Sequence, residues 1–109
     1  MSDELLPLAI WRNVNAARTA AHTEFDPLWE NIAECYRDTW LDMSQAERAR
    51  IRATARRRAY VWLTDKHGYT KQIHIGDMTA EQCRVTVLAC RAFNPAMVQA
   101  WYERWHDAR

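Results

Sequence analysis

Apolar residues recur along this chain with two different periods, and the change between them marks its organisation. Over roughly residues 3 to 22, Leu5, Leu8 and Trp11 lead into the alanine-rich run NAARTAAH. That spacing predicts a short amphipathic helix, which tolerates Pro7 only near its first turn. Asp26 followed by Pro27 reads as a new helix start, a carboxylate to cap free N–H groups and a proline that lacks one. Leu28, Ile32, Cys35, Tyr36 and Trp40 then predict a helix from 27 to about 42 whose opposite face is acidic. Ser44 and Glu47 have the spacing of a reciprocal capping box, so a third helix begins at 45 and runs through AERARIRATARRR on a thin apolar stripe of Ile51, Ala55 and Ala59.

Between 59 and 75 the pattern shifts. AYVWLT is dense in β-branched and aromatic residues, DKHG has turn chemistry, and YTKQIHI alternates Tyr69, Ile73 and Ile75 with Thr70, Gln72 and His74. This predicts a two-stranded hairpin. A competing reading extends the third helix to about Leu63, because arginine and alanine favour helix and the apolar positions 51, 55, 59 and 62 keep its period. After Gly76, Thr79 and Gln82 offer a second capping box ahead of a largely buried helix that surfaces along Arg84 and Arg91. Asn94-Pro95 opens the last helix, with Val98, Trp101, Tyr102 and Trp105 on one face. The expected fold is mainly α, a small helical domain of four to five helices with one short antiparallel β-hairpin. One domain is expected over 1–109, divided into an acidic helical half, 1–43, and a basic helix, hairpin and two C-terminal helices, 44–109.

Composition narrows the class. With 49% apolar residues and only two glycines in 109, the chain has enough apolar surface for one modest core. Six tryptophans are many for this length; most are expected in the core, with Trp62, Trp101 and Trp105 as candidate interface aromatics. Three cysteines, an odd number, sit in helical or apolar segments, which suits reduced thiols and a cytoplasmic location. No run reaches the roughly 20 apolar residues of a membrane span. The start, MSDELLPLAIWRN, carries acids where a signal peptide needs a basic region. A soluble, unsecreted protein is therefore expected.

Candidate chemistry is sparse. His67, His74, Cys83 and Cys90 lack the tight pairs that let neighbouring ligands reach one metal ion, so no metal is expected. The two thiols are read as core residues and the histidines as surface residues of the hairpin. There is no phosphate-cradling glycine loop, nucleophile elbow or HExxH motif, and neither a cofactor nor an enzyme activity is expected.

Charge is the stronger signal. Through residue 47 three arginines face nine carboxylates, whereas from 48 onward twelve Lys or Arg face five. Between 48 and 75 Arg48, Arg50, Arg52, Arg56, Arg57, Arg58, Lys66 and Lys71 are opposed by Asp65 alone. Arg48, Arg52 and Arg56 recur every four residues, forming one ridge of the helix. Guanidinium groups suit phosphate oxygens, so the ridge points to nucleic acid. The same arginines could instead pair with Glu30, Glu34 and Asp38 of the preceding helix.

From 59 to 107 the order of elements resembles the domain of Rha-type and related phage antirepressor or regulatory proteins. The matching positions are Tyr60, Asp65, Lys66, Gly68, Tyr69 and Ile73, then Met78 to Leu88, and finally Ala100, Trp101, Tyr102 and Trp105. The resemblance implies a hairpin leading to an apolar helix and an aromatic-rich last helix, and a phage or prophage origin. The acidic helix of the first half does not match the helix-turn-helix that reads DNA in those proteins. The expected function is therefore a small phage-type regulatory protein in which Arg48, Arg52, Arg56, Arg57, Arg58, Lys66, Lys71, Arg84 and Arg91 contact nucleic-acid phosphates or an acidic partner. Alternatives are a phage-type inhibitor of a host defence or transcription component, and a homodimer in which the acidic half of one copy meets the basic half of another.

Overall fold

A computed structural model describes residues 8–109 of the chain. Pro7 and the start of the expected first helix lie outside the described residues. From residue 8 that expected helix is split into α1, Leu8–Trp11, and α2, Val14–Phe25. The division falls at Asn13, whose extended backbone lets its side chain accept from the N–H groups of Asn15 and Ala16 at 2.9 and 3.1 Å. An asparagine read as helix interior is thus an N-cap, the role its short polar side chain favours.

The expected helix from 27 to 42 is also corrected. It is broken into α3, Pro27–Glu30, a 3₁₀ turn, Ile32–Cys35, and α4, Asp38–Leu41. The last break turns on Arg37, a non-glycine residue held at φ +51°, where an L side chain is strained. Asp26 does not cap α3. Its own backbone is helical, and its carboxylate instead accepts from Trp29 Nε1 at 3.2 Å and faces His22 Nδ1 at 3.2 Å. The apolar positions still find the core, since Leu28, Ile32 and Trp40 are buried, whereas Cys35 is exposed.

The third helix, α5, runs from Gln45 to Lys66. Its capping box forms as expected: Glu47 N–H donates to Ser44 Oγ at 3.1 Å and Ser44 N–H to Glu47 Oε1 at 3.0 Å. The predicted hairpin is not formed, and no strand occurs among the described residues. AYVWLT is instead the last part of α5, so the helical reading holds past Leu63. The turn chemistry of DKHG belongs to the helix end. Gly68 takes φ +75°, its N–H donates to Asp65 O at 2.9 Å, and the Tyr69 N–H reaches back to Thr64 O at 3.1 Å. This is a Schellman motif, which satisfies the last free carbonyls. With its intended partner helical, the alternating segment 69–74 has no ladder to join. It lies along α5, where the Ile73 N–H donates to Thr64 Oγ1 at 3.3 Å. A β-carbon at Gly68 would meet nothing within 4 Å, so Gly68→Ala is expected to cost only its left-handed backbone. That is about 1 kcal/mol in urea denaturation.

After a 3₁₀ turn at Ile75–Asp77, α6 spans Ala80–Arg91 and α7 spans Pro95–Asp107. Both begin on the caps read from the sequence. Thr79 and Gln82 form the reciprocal pair, and Asn94 Oδ1 accepts the Met97 N–H at 2.8 Å. The main core gathers Ala17, Ala21 and Phe25 of α2, Leu28 of α3, Ala59, Tyr60, Trp62 and Leu63 of α5, Cys83 and Cys90 of α6 and Val98 of α7, with Ile75 and Met78. Small residues on α2 and α6 let those two helices pack closely. A second cluster of Ile32, Trp40 and Ala55 seats the 3₁₀ turn and α4 on the front half of α5. Burial along α5 is heaviest from Ala55 onward, while Arg50, Arg52, Arg56 and Arg57 stay exposed.

Candidate phosphate-binding face

At 1.5 Å per residue α5 is about 33 Å long, and each arginine takes its role from its angle around the axis. Arg48, Arg52 and Arg56 lie along one flank and meet aromatic rings, Trp40 and Trp29 of the preceding segment and Tyr60 of α5 itself. The Arg52 guanidinium carbon is 5.0 Å from the Trp40 ring centroid. That of Arg56 is 5.8 Å from Trp29 and 5.0 Å from Tyr60, and that of Arg48 is 5.9 Å from Trp40. Such stacking is the cation–π geometry that fixes arginine side chains. Arg48 is committed further, because its Nε donates to Trp40 O at 2.9 Å and its Nη2 to Leu41 O at 3.0 Å. It closes the carbonyl end of α4, as a basic group does at a helix C-terminus.

Arg58 lies on the opposite flank. Its Nη1 donates to Gln99 Oε1 at 3.2 Å and its guanidinium carbon lies 4.7 Å from the Tyr102 ring. Arg50 and Arg57, seven residues apart, point outward with exposed Ala46, Ala49 and Ala53 around them. Neither makes a hydrogen bond, ion pair or ring contact among the described residues, although Arg50 lies near enough to Glu47 to help keep that carboxyl low. The larger cause there is the backbone hydrogen bond from Ser44.

Among the described residues no arginine of α5 is in an ion pair. Glu30, Glu34 and Asp38 are exposed. The ridge therefore meets the rings of α3 and α4 rather than their acids. These platforms, Trp29, Trp40 and Tyr60, were not singled out from the sequence. Tyr60 lies on α5 itself, four residues after Arg56, but Trp29 and Trp40 come from other segments that no local spacing links to α5's arginines.

The other expected site residues are dispersed. Lys66 lies 5.2 Å from the Phe93 ring and 5.8 Å from that of Trp101. Lys71 is exposed in the segment that follows α5. On α6, Arg84 pairs with Glu81 at 3.0 Å, and Arg91 lies 3.8 Å from Glu24 of α2. Trp62 is corrected outright as an interface aromatic. It is 0% exposed, with its ring 4.8 Å from that of Phe93, because α5 turns it into the core. Trp101 and Trp105 are half-buried and stacked at 5.7 Å, with Arg109 4.4 Å from the Trp105 ring. A groove of about 560 Å³ beside α5 is lined by Glu47 and Glu103 as well as Arg50 and Arg58. Its mixed charge makes it a weaker anion site than the open face.

The thiols and histidines do not converge. Among the described residues no three His, Cys, Asp or Glu side chains are placed to hold a metal. Burial pushes the Cys90 thiol up to about 12, with Glu24 and Asp26 adding to the shift, and burial raises Cys83 too. His74 lies 4.7 Å from the Tyr60 ring. His67 is half-buried, with Nε2 2.9 Å from Thr86 Oγ1, and burial lowers its pKa from 6.5. Its neutral form is therefore the one the fold prefers. That stability is fully present above about 6.5 and is lost as pH falls from there through the lowered folded value. Melting temperature should drop over that window, less so in His67→Gln, as scanning calorimetry at successive pH values would show.

Fold and site together define a mainly helical protein with an arginine-bearing helix, and among the described residues no helix is long and apolar enough to cross a membrane. No family model matches the chain, and neither a curated protein nor a solved structure was found to match it.

Proposed function

We propose that this is a small phage-type regulatory protein that contacts the phosphate backbone of nucleic acid through the exposed face of α5. The observation that carries the reading is that Arg50, Arg52, Arg56 and Arg57 are exposed on one helix and in no ion pair among the described residues. Four such groups would neutralise four phosphates and release their counterions, with the alanines between them leaving the helix open to close approach. The contacts go to the backbone and not to base edges, which matches the lack of a helix-turn-helix in the resemblance to Rha-type proteins.

Fluorescence anisotropy of a labelled random duplex tests this. Four contacts predict a log–log salt slope near −3.6, so affinity should fall on the order of a hundredfold between 50 and 200 mM salt. Absence of binding at the lower salt rejects the proposal. A second reading is inhibition of an acidic host protein, favoured by the cluster of Trp101, Tyr102 and Trp105 under Arg109 on α7. Aromatic and arginine side chains of that kind are common interface anchors. It predicts no duplex binding and partner affinity that falls on Trp105→Ala.

A further inference from the structure

The arginines of the exposed face are not equivalent. Arg50 and Arg57 lie over no ring and make no hydrogen bond or ion pair among the described residues, whereas Arg52 and Arg56 lie over rings at 5.0 Å while remaining exposed. Arg56 is bounded by two rings, Trp29 and Tyr60. Trp40, under Arg52, is 8% exposed and is itself held by the cluster with Ile32 and Ala55, and Trp29 is anchored through its Nε1 to Asp26. These platforms are thus fixed before any ligand arrives.

We infer that Arg52 and Arg56 form a preorganised two-pronged clamp for neighbouring phosphates of one nucleic-acid strand, with Trp40, Trp29 and Tyr60 as the positioning residues that hold it. The inference rests on the nucleic-acid reading above. Four residues of helix separate the two by about 6 Å along the axis, within reach of successive phosphates. One guanidinium face is given to a ring; Arg52 keeps its N–H edge for a phosphate oxygen, and Arg56 keeps the part that its hydrogen bond to the Tyr60 hydroxyl leaves. A long side chain restrained in this way loses less freedom on binding than a free one. Arg48 is no part of the clamp, because its Nε and one Nη are already spent on the carbonyls of Trp40 and Leu41. Arg58 is likewise turned to the opposite flank by Gln99 and Tyr102.

Charge-conserving substitutions separate this clamp from plain charge. Lysine keeps the positive charge but presents neither a planar face to the ring nor a fork to the phosphate. Arg52→Lys with Arg56→Lys is expected to weaken binding of a random duplex about tenfold with an unchanged salt slope, and Arg50→Lys with Arg57→Lys by no more than about twofold. Equal effects of the two double substitutions, alongside wild-type binding that follows the expected salt slope, would overturn the clamp and leave the phosphate reading standing. Failure of the wild-type protein to bind would remove both. If the first variant loses helical circular dichroism, the side-chain Nε–Hε resonances of the wild type decide. Those of Arg52 and Arg56 should be ring-shifted in the free protein and move on adding duplex, while those of Arg48 and Arg58 stay in place. Movement of all four alike, or of neither clamp arginine, would reject the clamp.

Discussion

Trp62→Ala is expected to destabilise the chain by about 3–5 kcal/mol, the usual cost of emptying a large aromatic site in a core. The indole is 0% exposed and lies tilted against Phe93 with ring centroids 4.8 Å apart, in the cluster that joins α2, α5, α6 and α7. Against a total stability of roughly 5–15 kcal/mol for a domain, that loss would leave much of the protein unfolded in mild denaturant. Trp62→Phe should behave quite differently. The indole Nε1 is buried without an acceptor among the described residues, and an unpaired buried N–H costs about 1–3 kcal/mol. Phenylalanine removes that cost while leaving a smaller void, so the net change should stay within about 1.5 kcal/mol. Urea denaturation followed by circular dichroism separates the two. If Trp62→Ala kept its stability, the ring would have to be a surface group.

The misreading of Trp62 and that of the hairpin have one cause. In AYVWLTDKHG, β-branched and aromatic residues and a glycine-ended turn satisfy a strand and a helix C-terminus equally well, since Gly68 serves either through its positive φ. What decides is the continuity of Ala55, Ala59, Trp62 and Leu63 with the capped start at Ser44, all of them buried on one side of α5. Three caps were legible, Ser44 with Glu47, Thr79 with Gln82, and Asn94 with Met97, whereas the equally local cap at Asn13 was hidden at the head of an alanine-rich run and the one read at Asp26 does not form. The break at Arg37 was not legible either, because that residue adopts a backbone that local propensity disfavours. The arginine ridge could be read from its period of four. Of the rings beneath it, Tyr60 follows Arg56 by four residues on the same helix, but Trp29 and Trp40 could not be read, because they converge on it only through the packing of α3 and α4 against α5.

Reversing Arg50 and Arg57 to glutamate is expected to reduce duplex affinity by at least about a hundredfold at low salt, since each charge-assisted contact is worth roughly 1.5–3 kcal/mol and glutamate adds repulsion. The salt slope should become shallower by about two. The fold should survive, because neither arginine makes a hydrogen bond, ion pair or ring contact among the described residues and both are exposed. A surface change of this kind is usually within about 0.5 kcal/mol. A small penalty is expected at position 50, where a glutamate would stand three residues from Glu47 on the same helix surface and repel it. The corresponding reversal of Arg52 and Arg56 is less discriminating, because it also strips the guanidinium groups from Trp40, Trp29 and Tyr60. Lost binding there could follow from a loosened α3–α4 segment. With Arg50 and Arg57 reversed, an unchanged melting temperature together with unchanged duplex affinity would mean that the outward face of α5 does not meet phosphate. A folded variant that no longer binds would place the nucleic acid against Arg50 and Arg57, beside the ringed pair of Arg52 and Arg56.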